Sequence, residues 1–531
     1  MCGIIAVVQR VPVRANELLT RLQRLAYRGY DSYGYAFSDA TRKGIGHIAI
    51  MPDDAVVSGT VAIAHTRWAT HGGVTVQNAH PHRSGGTTLV HNGIIDNYET
   101  IAQTGMWLSE TDSERLAARI DAEVSVDTPL NGLRAALASA RGIWAIAAMV
   151  EGVDGLLIAR KHVPLVIGKT KTGFVVASDA RAIADAPEII ALDDGTVALV
   201  TTNGIDLQDM HGNALALRWE RNTVEDEERP VEGYAMEHEI LQIPALLSHA
   251  ISRAATPIVG EVTIIGCGSS VHAAGIAVAL ARSRSRVQLA SEYNPSLDDA
   301  QTLIAVSQSG ETADVLDAVR TAKAAGRRVI ALVNAPHTTL TRLADTTILL
   351  GAGEERCVAA TKSVILQIVA IAGILGADVL NAARMGAQRA ILDRERIRAH
   401  ARDIVHAQHV FLIGRGAWLA VAQEAALKLK EIPYQHAEAV PALELKHGPL
   451  ALITPEVPVI ALGDEDDVRL HSTIHEVTAR AGRVLPLLYE AGPAGVFCAL
   501  ISLQLLAFEI ALLRGVSIDH PRNLAKSVTV Y

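Results

Sequence analysis

Short apolar runs separated by polar turns fill the first 217 residues of the chain. The strands predicted from this pattern are GIIAVV, TVAIAHTRWA, TTLVHNGII, WAIAAMV, GLLIAR, LVIG, GFVVAS and TVALVT. Two helical stretches, ELLTRLQRLAY and SERLAARIDAEV, interrupt them. Many short strands with few helices predict an α+β domain of antiparallel sheets over residues 1–217.

A charge-rich stretch that is poor in apolar residues, RNTVEDEERPVEGYAMEHE, predicts a linker over residues 218–240. Beyond it, apolar strands alternate with alanine-rich helices, as in TLIAVSQSG followed by ETADVLDAVRTAKAAG. The pattern then recurs, as in HVFLIGRG followed by AWLAVAQEAALKLKE. This repetition predicts two α/β doubly wound domains, at 241–400 and 401–520, the second shorter at its C-terminal end, and then a tail at 521–531.

Composition narrows the class of protein. The chain has 531 residues, 49% hydrophobic and 20% charged, which indicates large globular cores. A net charge of -9 argues against a general nucleic-acid binder, and four scattered cysteines form no disulfide framework. The start MCGIIAVVQR lacks a basic region, and LISLQLLAFEIALL is interrupted by Gln504 and Glu509 and is too short for a membrane span. We therefore expect a soluble, cytoplasmic protein.

A cysteine occupies position 2, in MCGIIAV. Removal of the initiator methionine would give Cys2 a free α-amine with a pKa of about 7.7–8.0, which can take the thiol proton. Cys2 is therefore a candidate nucleophile, and the alternative is a buried cysteine that opens a strand. In VHNGIIDN, Asn92 and Gly93 offer a side-chain amide and a backbone N–H for an oxyanion hole.

Two further motifs complete a candidate glutamine site. AHTRWATHGG supplies Arg67 for an α-carboxylate, and SETDSE supplies Asp112 for an α-ammonium group. Taken alone, Arg67 would be a surface ion pair and Asp112 a helix N-cap. Together with a thiol, they describe a site that binds and cleaves glutamine.

A polar turn between a strand and a helix, in IAVSQSGETADV, predicts a phosphate cradle, because helix N–H groups and side-chain donors meet there. The side chains concerned are Ser307, Gln308, Ser309 and Thr312. The alternative is an ordinary N-cap. The corresponding turn of the second copy, GDEDD at 463–467, is acidic and would repel phosphate.

The helix EAALKLKE places Glu424, Lys428 and Glu431 at i, i+4 and i+7, on one face. Such a stripe is either a solvated salt-bridge face or an acid–base group inside a pocket. An aldose–ketose isomerisation needs a ring-opening proton shuttle, a base between C1 and C2, and a group that activates the carbonyl. His447 in ELKHGPLALI, Glu431, and Lys526 in the tail match those roles in that order.

The motifs CGII, YRGYDS, HTRWATHG, NAHPH, HNGII and SETD resemble the N-terminal-nucleophile (Ntn) glutaminase domain of the glucosamine-6-phosphate synthase family. CGSS, SQSGET, ALKLKEI, HAEA, ELKHGPLALI and PRNLAKSVTV resemble that family's two sugar-isomerase (SIS) domains and tail, so the resemblance covers nearly the whole chain. It implies that L-glutamine and fructose 6-phosphate give glucosamine 6-phosphate, with ammonia channelled between two sites. No cofactor or metal is expected.

The resemblance also implies roles for single residues. Cys2 forms a glutamyl thioester, Glu431 is the C1–C2 base, Lys526 forms a Schiff base, and His447 is donated across the interface of a homodimer. The stripe then becomes a catalytic face, in which Lys428 and Glu424 assist. The implied glutamine-binding residues are Arg67, Trp68 (which gates ammonia passage), Thr70, His71 and Asp112. The implied sugar-phosphate-binding residues are Ser270, Ser307, Gln308, Ser309, Thr312, Val358 and Ala525.

Three positions depart from the family pattern. Tyr33 and Ala360 stand where alanine and serine are usual, and Tyr531 stands where glutamate is usual. These departures leave the acceptor open, so amination of a different ketose phosphate is an alternative. Another class of amidotransferase would need a phosphoribosyltransferase loop or an SGGxDS loop, and the sequence has neither. A non-catalytic sugar-phosphate sensor would lack Cys2, Glu431 or Lys526, and all three are present.

Overall fold

The structure, a computed structural model, describes residues 2–50, 57–102, 106–224, 233–249, 258 and 260–529. The chain forms two compact units. The first comprises Met1–Glu228, Pro336–Thr339 and Ser527–Tyr531, and the second comprises Arg229–Ala335 and Leu340–Lys526. Residues 225–232 of the predicted linker and Tyr531 lie outside the described residues.

The first unit is built mainly of strands. Its strands are β1 (Gly3–Arg14), β2 (Ser32–Phe37), β3 (Thr41–Ile45), β4 (Ser58–Arg67), β5 (His82–Ser84), β6 (Thr87–Ile95), β7 (Gly142–Val150), β8 (Leu156–Lys161), β9 (Val166–Lys169), β10 (Gly173–Ala177), β11 (Glu188–Ala191), β12 (Thr196–Thr201), β13 (Gly204–Asp209) and β14 (Glu220–Arg221). Its helices are α1 (Ala15–Gln23), α2 (Tyr98–Ile101), α3 (Asp112–Glu123) and α4 (Pro129–Ala138).

Two antiparallel sheets are stacked in this unit, with strand orders β14-β11-β9-β10-β1-β4-β2-β3 and β13-β12-β8-β7-β6-β5. Side chains alternate between the faces of β1, so Ile4 and Ala6 pack between the sheets whereas Ile5 and Val7 pack against α1. Helices α3 and α4 cover the outer face of the second sheet. The resulting four-layer helix–sheet–sheet–helix sandwich confirms the α+β prediction.

The second unit alternates strands and helices. Its strands are β15 (Thr263–Gly266), β16 (Arg286–Leu289), β17 (Thr302–Ser307), β18 (Arg328–Val333), β19 (Thr346–Leu349), β20 (His409–Gly414), β21 (His436–Pro441), β22 (Val459–Asp464) and β23 (Val484–Tyr489). Its helices are α5 (Ala235–His249), α6 (Ser269–Leu280), α7 (Ala313–Ala324), α8 (Thr339–Leu343), α9 (Lys362–Ile374), α10 (Leu380–Leu392), α11 (Arg394–Ile404), α12 (Ala417–Glu431), α13 (Val468–Thr478) and α14 (Pro493–Arg514).

Two parallel sheets form this unit, with strand orders β16-β15-β17-β18-β19 and β21-β20-β22-β23. The succession β15–α6 recurs as β20–α12, and β17–α7 recurs as β22–α13. Gly268 and Gly416 precede α6 and α12 with matching backbone angles, φ 52° ψ -126° and φ 57° ψ -126°, which favour glycine. The predicted duplication of doubly wound sheets is confirmed, and the second copy has the smaller sheet.

Helix α14 corrects one expectation from the sequence. At 22 residues it is long and apolar enough to cross a membrane, so the predicted shortness of this segment was wrong. Its most apolar stretch is 89% buried inside the protein. Gln504 donates to the Thr361 carbonyl at 3.1 Å, and Glu509 accepts from Arg394 at 2.8 Å and from Arg398 at 3.1 Å. Helix α14 is therefore a core helix of the second unit.

Candidate functional site

The thiol of Cys2 lies at the junction of two neighbouring strands. Cys2 precedes β1, whose first residue, Gly3, pairs with Thr66 near the end of β4. This register brings the thiol to the loop after β4, where the Trp68 N–H donates to Cys2 Sγ at 3.3 Å. Burial raises the pKa of the Cys2 thiol, so a base is needed to form the nucleophilic thiolate.

Asn92 and Gly93 lie in β6, close to Cys2. Asn92 Nδ2 donates to the Cys2 carbonyl at 2.9 Å, and its Oδ1 lies 3.0 Å from His65 Nε2. The same His65 nitrogen lies 3.0 Å from the His91 carbonyl, which only accepts, so Nε2 carries the proton and donates to both. Gly93 has a φ of 132°, and a Cβ there would lie 2.1 Å from a β7 carbonyl, so only glycine fits.

Asp112 is the first residue of α3 and is only 4% exposed. Its Oδ2 accepts from the Ile95 N–H at 2.8 Å, and its Oδ1 accepts from Ser113 Oγ at 3.2 Å. The N-cap of α3 is Thr111, whose side chain accepts from the Glu114 N–H. The N-cap alternative for Asp112 is therefore excluded, and its buried carboxylate lines a pocket with Cys2.

Arg67 is 3% exposed and is not a surface ion pair. Its guanidinium donates to the three backbone carbonyls of the turn 71–73, at 3.2 Å for the second and 3.1 Å for the third. Asn78 and Glu110, which sequence reasoning missed, close this turn: Asn78 Nδ2 donates to Glu110 Oε2 at 2.9 Å and to the carbonyl of residue 73 at 3.0 Å. The quoted motifs NAHPH and SETD contain both residues.

A single pocket gathers the predicted glutamine site. It is lined by Cys2, Arg67, Trp68, Thr70, His71, His80, His91, Gly93, Thr111, Asp112 and Ser113. His80, which lines the pocket, packs against two other buried imidazoles. Its ring stacks on that of His65 with centroids 4.0 Å apart, and it contacts the His82 ring edge-on with centroids 4.5 Å apart. Burial lowers the pKa of these rings, that of His65 to about 3, so they are neutral near pH 7.

The predicted phosphate cradle lies between β17 and α7 in the second unit. Ser307 Oγ lies 2.9 Å from Thr312 Oγ1 and accepts from the Gly310 N–H at 3.0 Å. Ser309 Oγ accepts from the Glu311 N–H at 3.2 Å. Thr312 occupies the N-cap position of α7 but its side chain makes no bond to the helix, which disfavours the ordinary N-cap alternative.

The other residues assigned to the sugar by resemblance lie in the same unit. Ser270 Oγ, in the first turn of α6, accepts from Gln367 Nε2 at 3.2 Å. The Val358 N–H donates to the Asp519 carbonyl at 3.1 Å, which joins the segment before α9 to the chain beyond α14. Ala525 is half-buried next to Lys526.

The acidic turn of the second copy has a structural role. Asp467 is the N-cap of α13 and accepts from the N–H groups of Arg469 and Leu470, each at 3.1 Å. It also pairs with Arg415 at 2.8 Å. Trp418 Nε1 donates to Asp464 at 3.2 Å. Carboxylates therefore fill the place that hydroxyl groups occupy in the first copy.

The charged stripe of α12 is largely buried rather than solvated, since only Glu431 is partly exposed, at 21% of its side chain. Glu424 and Lys428 are 0% and 1% exposed. Lys428 Nζ lies 2.5 Å from Glu431 Oε2 and 3.4 Å from Glu424 Oε1, and His272 Nδ1 lies 2.9 Å from Glu424 Oε2. Burial alone would raise the pKa of Glu424 and lower that of Lys428, but their pairing reverses both shifts. The salt-bridge-face alternative is excluded.

Lys526 is held in a second buried pair. Its Nζ lies 2.6 Å from Glu355 Oε2, with side-chain exposures of 3% and 0%. The buried thiol of Cys357 interacts electrostatically with both Lys526 and Lys428, so the tail lysine and the α12 stripe lie in the same region of the second unit. His447, by contrast, is exposed at the end of the short 3-10 helix Ala442–His447, so the single chain leaves its imidazole at the surface.

Sequence reasoning missed the carboxylates around Lys526. Glu355 precedes α9, and Glu239 lies on α5, where Asp519 caps the helix by accepting from the Ala235 and Met236 N–H groups. The sequence feature that could have indicated Glu355 is the stretch EERCVAATKS, which places charged and polar residues between two apolar elements. The described residues contain no group of three or more histidine, cysteine or acidic side chains placed to hold a metal ion.

Comparison with known proteins assigns each of the two units to a domain family. A glutamine amidotransferase domain family matches residues 51–211, and the SIS domain family matches residues 260–375 and 403–488. Glutamine–fructose-6-phosphate aminotransferases (isomerizing) from Caulobacter vibrioides and Xylella fastidiosa are each 35% identical to the chain, over 100% of both sequences.

A solved structure agrees with this placement. The C-terminal domain of glucosamine-fructose-6-phosphate aminotransferase from Francisella tularensis is 27% identical, with a TM-score of 0.50, and covers 54% of this chain and 99% of its own. With full-length similarity of this degree, the chain belongs to the glutamine–fructose-6-phosphate aminotransferase (isomerizing) family.

Proposed function

We propose that this chain converts L-glutamine and D-fructose 6-phosphate to L-glutamate and D-glucosamine 6-phosphate. The observation that carries the proposal is that one chain combines a thiol pocket in its first unit with a buried lysine and a charged acid–base stripe in its second unit. Full-length relatives that carry this activity in their names support it. The atoms balance, because the water consumed in releasing ammonia is returned when ammonia replaces the sugar oxygen.

The thiol pocket would perform the glutaminase half. After removal of the first methionine, the α-amine of Cys2 takes the thiol proton, and the thiolate attacks the glutamine amide carbon. Asn92 Nδ2 and the Gly93 N–H stabilise the oxyanion, ammonia leaves, and water hydrolyses the thioester. Arg67 and Asp112 hold the α-carboxylate and α-ammonium groups of glutamine.

The rest of the pocket wall completes the glutaminase proposal. Thr70 and His71 line the pocket beside the bound glutamine, and Trp68 gates the passage of ammonia. The contact between the Trp68 N–H and Cys2 Sγ supports a gate placed directly at the nucleophile.

The second unit would perform the isomerase half. The cradle of Ser307, Gln308, Ser309 and Thr312 binds the phosphate, with Ser270, Val358 and Ala525 along the sugar. His447 of the partner subunit of a homodimer opens the sugar ring, which fits its exposure in the single chain. Lys526 forms an imine at C2, ammonia displaces the lysine nitrogen from C2, and Glu431 moves the proton from C1 to C2. Lys428 and Glu424 hold Glu431 in place.

The wider assignments follow from the same proposal. The domains would run over 1–217, 241–400 and 401–520, with a catalytic tail at 521–531 and a linker at 218–240, whose last residues form the start of α5 (Ala235–His249). The enzyme would act in the cytoplasm, at the first step of hexosamine synthesis, with ammonia passing between its two sites and without a cofactor.

The test is to incubate the protein with glutamine and fructose 6-phosphate and to identify the aminated product by mass spectrometry and NMR. We expect glucosamine 6-phosphate and an equal amount of glutamate. Ala360 removes a hydroxyl next to the sugar site, so other ketose 6-phosphates are run in parallel. A higher kcat/KM with one of them would reassign the acceptor, and glutamate release without any aminated sugar would contradict the proposal.

A further inference from the structure

One hydroxyl group lies between two buried carboxylates near Lys526. Thr361 Oγ1 is 2.7 Å from Glu239 Oε2 and 3.0 Å from Glu355 Oε1, and the three residues are 0%, 4% and 2% exposed. A hydroxyl carries one proton and can donate to only one of them. Both contacts are hydrogen bonds only if a carboxyl proton donates back to Thr361.

The surrounding donors indicate which carboxyl holds that proton. Glu239 Oε1 accepts from the Arg356 and Cys357 N–H groups, at 2.5 and 3.0 Å, which leaves Oε2 to donate to Thr361. Among the described residues, every hydrogen-bond partner of Glu355 is a donor. Its oxygens accept from Thr361, from the backbone N–H and the hydroxyl of Ser363, and from Lys526 Nζ. The hydrogen bonds therefore run from Glu239 through Thr361 to Glu355.

The charges of the two carboxyl groups agree with this direction. Burial and the neighbouring Glu355 raise the pKa of Glu239 to about 7. Burial would also raise the pKa of Glu355, but Lys526 and the donors around it lower the value to about 2. Glu239 is therefore the member of the pair that takes up and releases a proton near neutral pH.

We propose that Glu239, Thr361 and Glu355 form a proton relay for Lys526, which stores on Glu239 the proton that the lysine must lose before it attacks the ketose carbonyl. This inference rests on the proposed imine at Lys526. The relay begins at Glu355, which contacts the reacting nitrogen at 2.6 Å. The hydrogen bonds described above are those of the state in which Glu239 has taken the proton; when Glu239 is ionised and ready to accept it, Thr361 donates to Glu239 Oε2 instead.

The steps balance without any further reactant. The step begins with both carboxyl groups ionised. The Lys526 ammonium gives its proton to Glu355 Oε2, the protonated carboxyl turns to present that proton to Thr361, and Thr361 passes its own hydroxyl proton to Glu239 Oε2. The neutral amine then forms a bond to C2 of the sugar while the carbonyl π electrons move to the oxygen. The proton then returns along the same groups to the carbinolamine hydroxyl, which leaves as water as the C2–nitrogen double bond forms. The protonated imine faces the Glu355 carboxylate, and Glu239 ends without its proton, as before the step.

Two variants separate a relay from a structural role. Glu239→Gln keeps every hydrogen bond of the protonated acid, since its amide can donate to Thr361 and its oxygen can accept from the two N–H groups, but it cannot exchange a proton. Thr361→Val keeps the shape and removes the hydroxyl, and Thr361→Ser restores it. Glu237→Gln, on the same helix but paired with Arg394, is the matched control.

The measurement is the rate at which borohydride traps the adduct of fructose 6-phosphate on Lys526, together with sugar-phosphate affinity and glutamine hydrolysis. We expect Glu239→Gln and Thr361→Val to trap roughly 10²-fold more slowly with affinity within about twofold, and Thr361→Ser and Glu237→Gln to stay near the wild type. Glutamine hydrolysis should not change in any of them.

Three results would overturn the relay. Trapping at the wild-type rate in Glu239→Gln would remove the proton store, and equal rates in Thr361→Val and Thr361→Ser would remove the hydroxyl step. Loss of sugar-phosphate affinity in step with trapping would show a structural role. A wild-type protein that hydrolyses glutamine and binds the sugar phosphate but forms no adduct would instead refute the proposed imine, a result distinct from failure of the relay alone.

Discussion

Single buried groups, each tuned by a few neighbours, carry both candidate reactions. The register of β1 on β4 fixes the position of Cys2, and a carboxylate 2.6 Å away holds the ammonium group of Lys526. Asn92 is oriented by a neutral histidine that is itself buried in a stack of imidazoles. At this scale the two sites are independent, because no residue proposed for one is proposed for the other.

Replacing Cys2 with alanine tests that independence. Glutamine hydrolysis should be abolished, because no other thiol lines the pocket, whereas isomerisation of fructose 6-phosphate should be retained. Glutamate release and aldose formation are measured on the same preparation. Cys498→Ala, which removes a core thiol of the second unit, serves as the control. Glutamine hydrolysis at the wild-type rate in Cys2→Ala would sink the assignment.

Removing one hydroxyl of the phosphate cradle tests the second site. Ser309→Ala and Thr312→Ala should each weaken sugar-phosphate binding by roughly 1.5–3 kcal/mol, the net value of a hydrogen bond to a charged group. Calorimetric titration gives the affinity, and the KM for glutamine should not change. If both variants bind as tightly as the wild type, the phosphate lies elsewhere.

At the scale of elements, α12 is the helix on which the isomerase proposal depends. Most of its apolar residues and two members of its charged stripe, Glu424 and Lys428, are buried, so the helix must satisfy these charges internally. Lys428 does so by pairing with carboxylates on both sides along the helix. The stripe is thus both a packing feature of the second unit and a candidate acid–base group.

Glu431→Gln separates proton transfer from imine formation. Borohydride should still trap the sugar on Lys526, because Glu431 does not contact the nitrogen in this proposal, but exchange of the C1 proton with solvent should stop. Deuterium incorporation by NMR and mass spectrometry of the trapped peptide are the measurements. Normal exchange in this variant would show that Glu431 is only an ion-pair partner.

Lys428→Met tests the energetic role of the stripe. Removing the cation leaves the fully buried Glu424 without its partner along the helix, which should cost about 3–5 kcal/mol in the free energy of unfolding. Hydrogen–deuterium exchange of α12 reports the loss locally. The control Lys323→Met breaks the exposed pair with Asp345 and should cost under about 1 kcal/mol. Equal effects of the two substitutions would contradict the argument.

The pH dependence of this stabilisation follows from the two pKa shifts. The pKa of Lys428 is raised, so its contribution is present below about 10.4, the unfolded value, and is lost as pH rises through the folded pKa. The pKa of Glu424 is lowered, so its contribution is present above about 4.3 and is lost as pH falls. The loss of α12 protection caused by Lys428→Met should therefore be the same at every pH between these limits, and a loss that changes steeply near pH 7 would contradict this assignment.

At the scale of the whole molecule, the chain joins two folds that each hold one candidate site. His447 is exposed on the single chain whereas the side chain of Lys526 is buried, so in the proposed isomerase site the two residues come from different chains. A symmetric dimer would place the same histidine of each chain in the site of the other.

Mixing two inactive variants tests this arrangement. His447→Ala and Lys526→Ala should each lack isomerisation, but in a mixed dimer one site has both native residues, so co-expression should restore about a quarter of wild-type activity. Lys526→Ala co-expressed with Lys526→Arg is the control and should restore nothing. Failure of the first pair to complement, with mixed dimers present, would place His447 in its own chain's site.

Much of the fold is visible in local periodicity. The strand β1 and the helix α12 were predicted because their side-chain patterns repeat every two or every three to four residues, and these patterns follow from backbone geometry alone. The edge strand β3, TRKGI, was missed because its half-exposed polar residues show no such pattern and it is formed only by pairing with β2. Local sequence patterns were therefore sufficient to predict a strand or helix wherever that element buries one regular face.

Sequence motifs and local patterns were sufficient to predict the candidate nucleophile and phosphate turn, and to identify the duplication and the family to which the chain belongs. Three-dimensional packing was needed to establish that the stripe of α12 faces inward, that α14 is a core helix, and that Glu239, Thr361 and Glu355 meet near Lys526. These last residues are up to 287 positions apart, counting from 239 to 526. Burial and the pairing of charges depend on which distant segments pack together, and no local pattern of side chains carries that information.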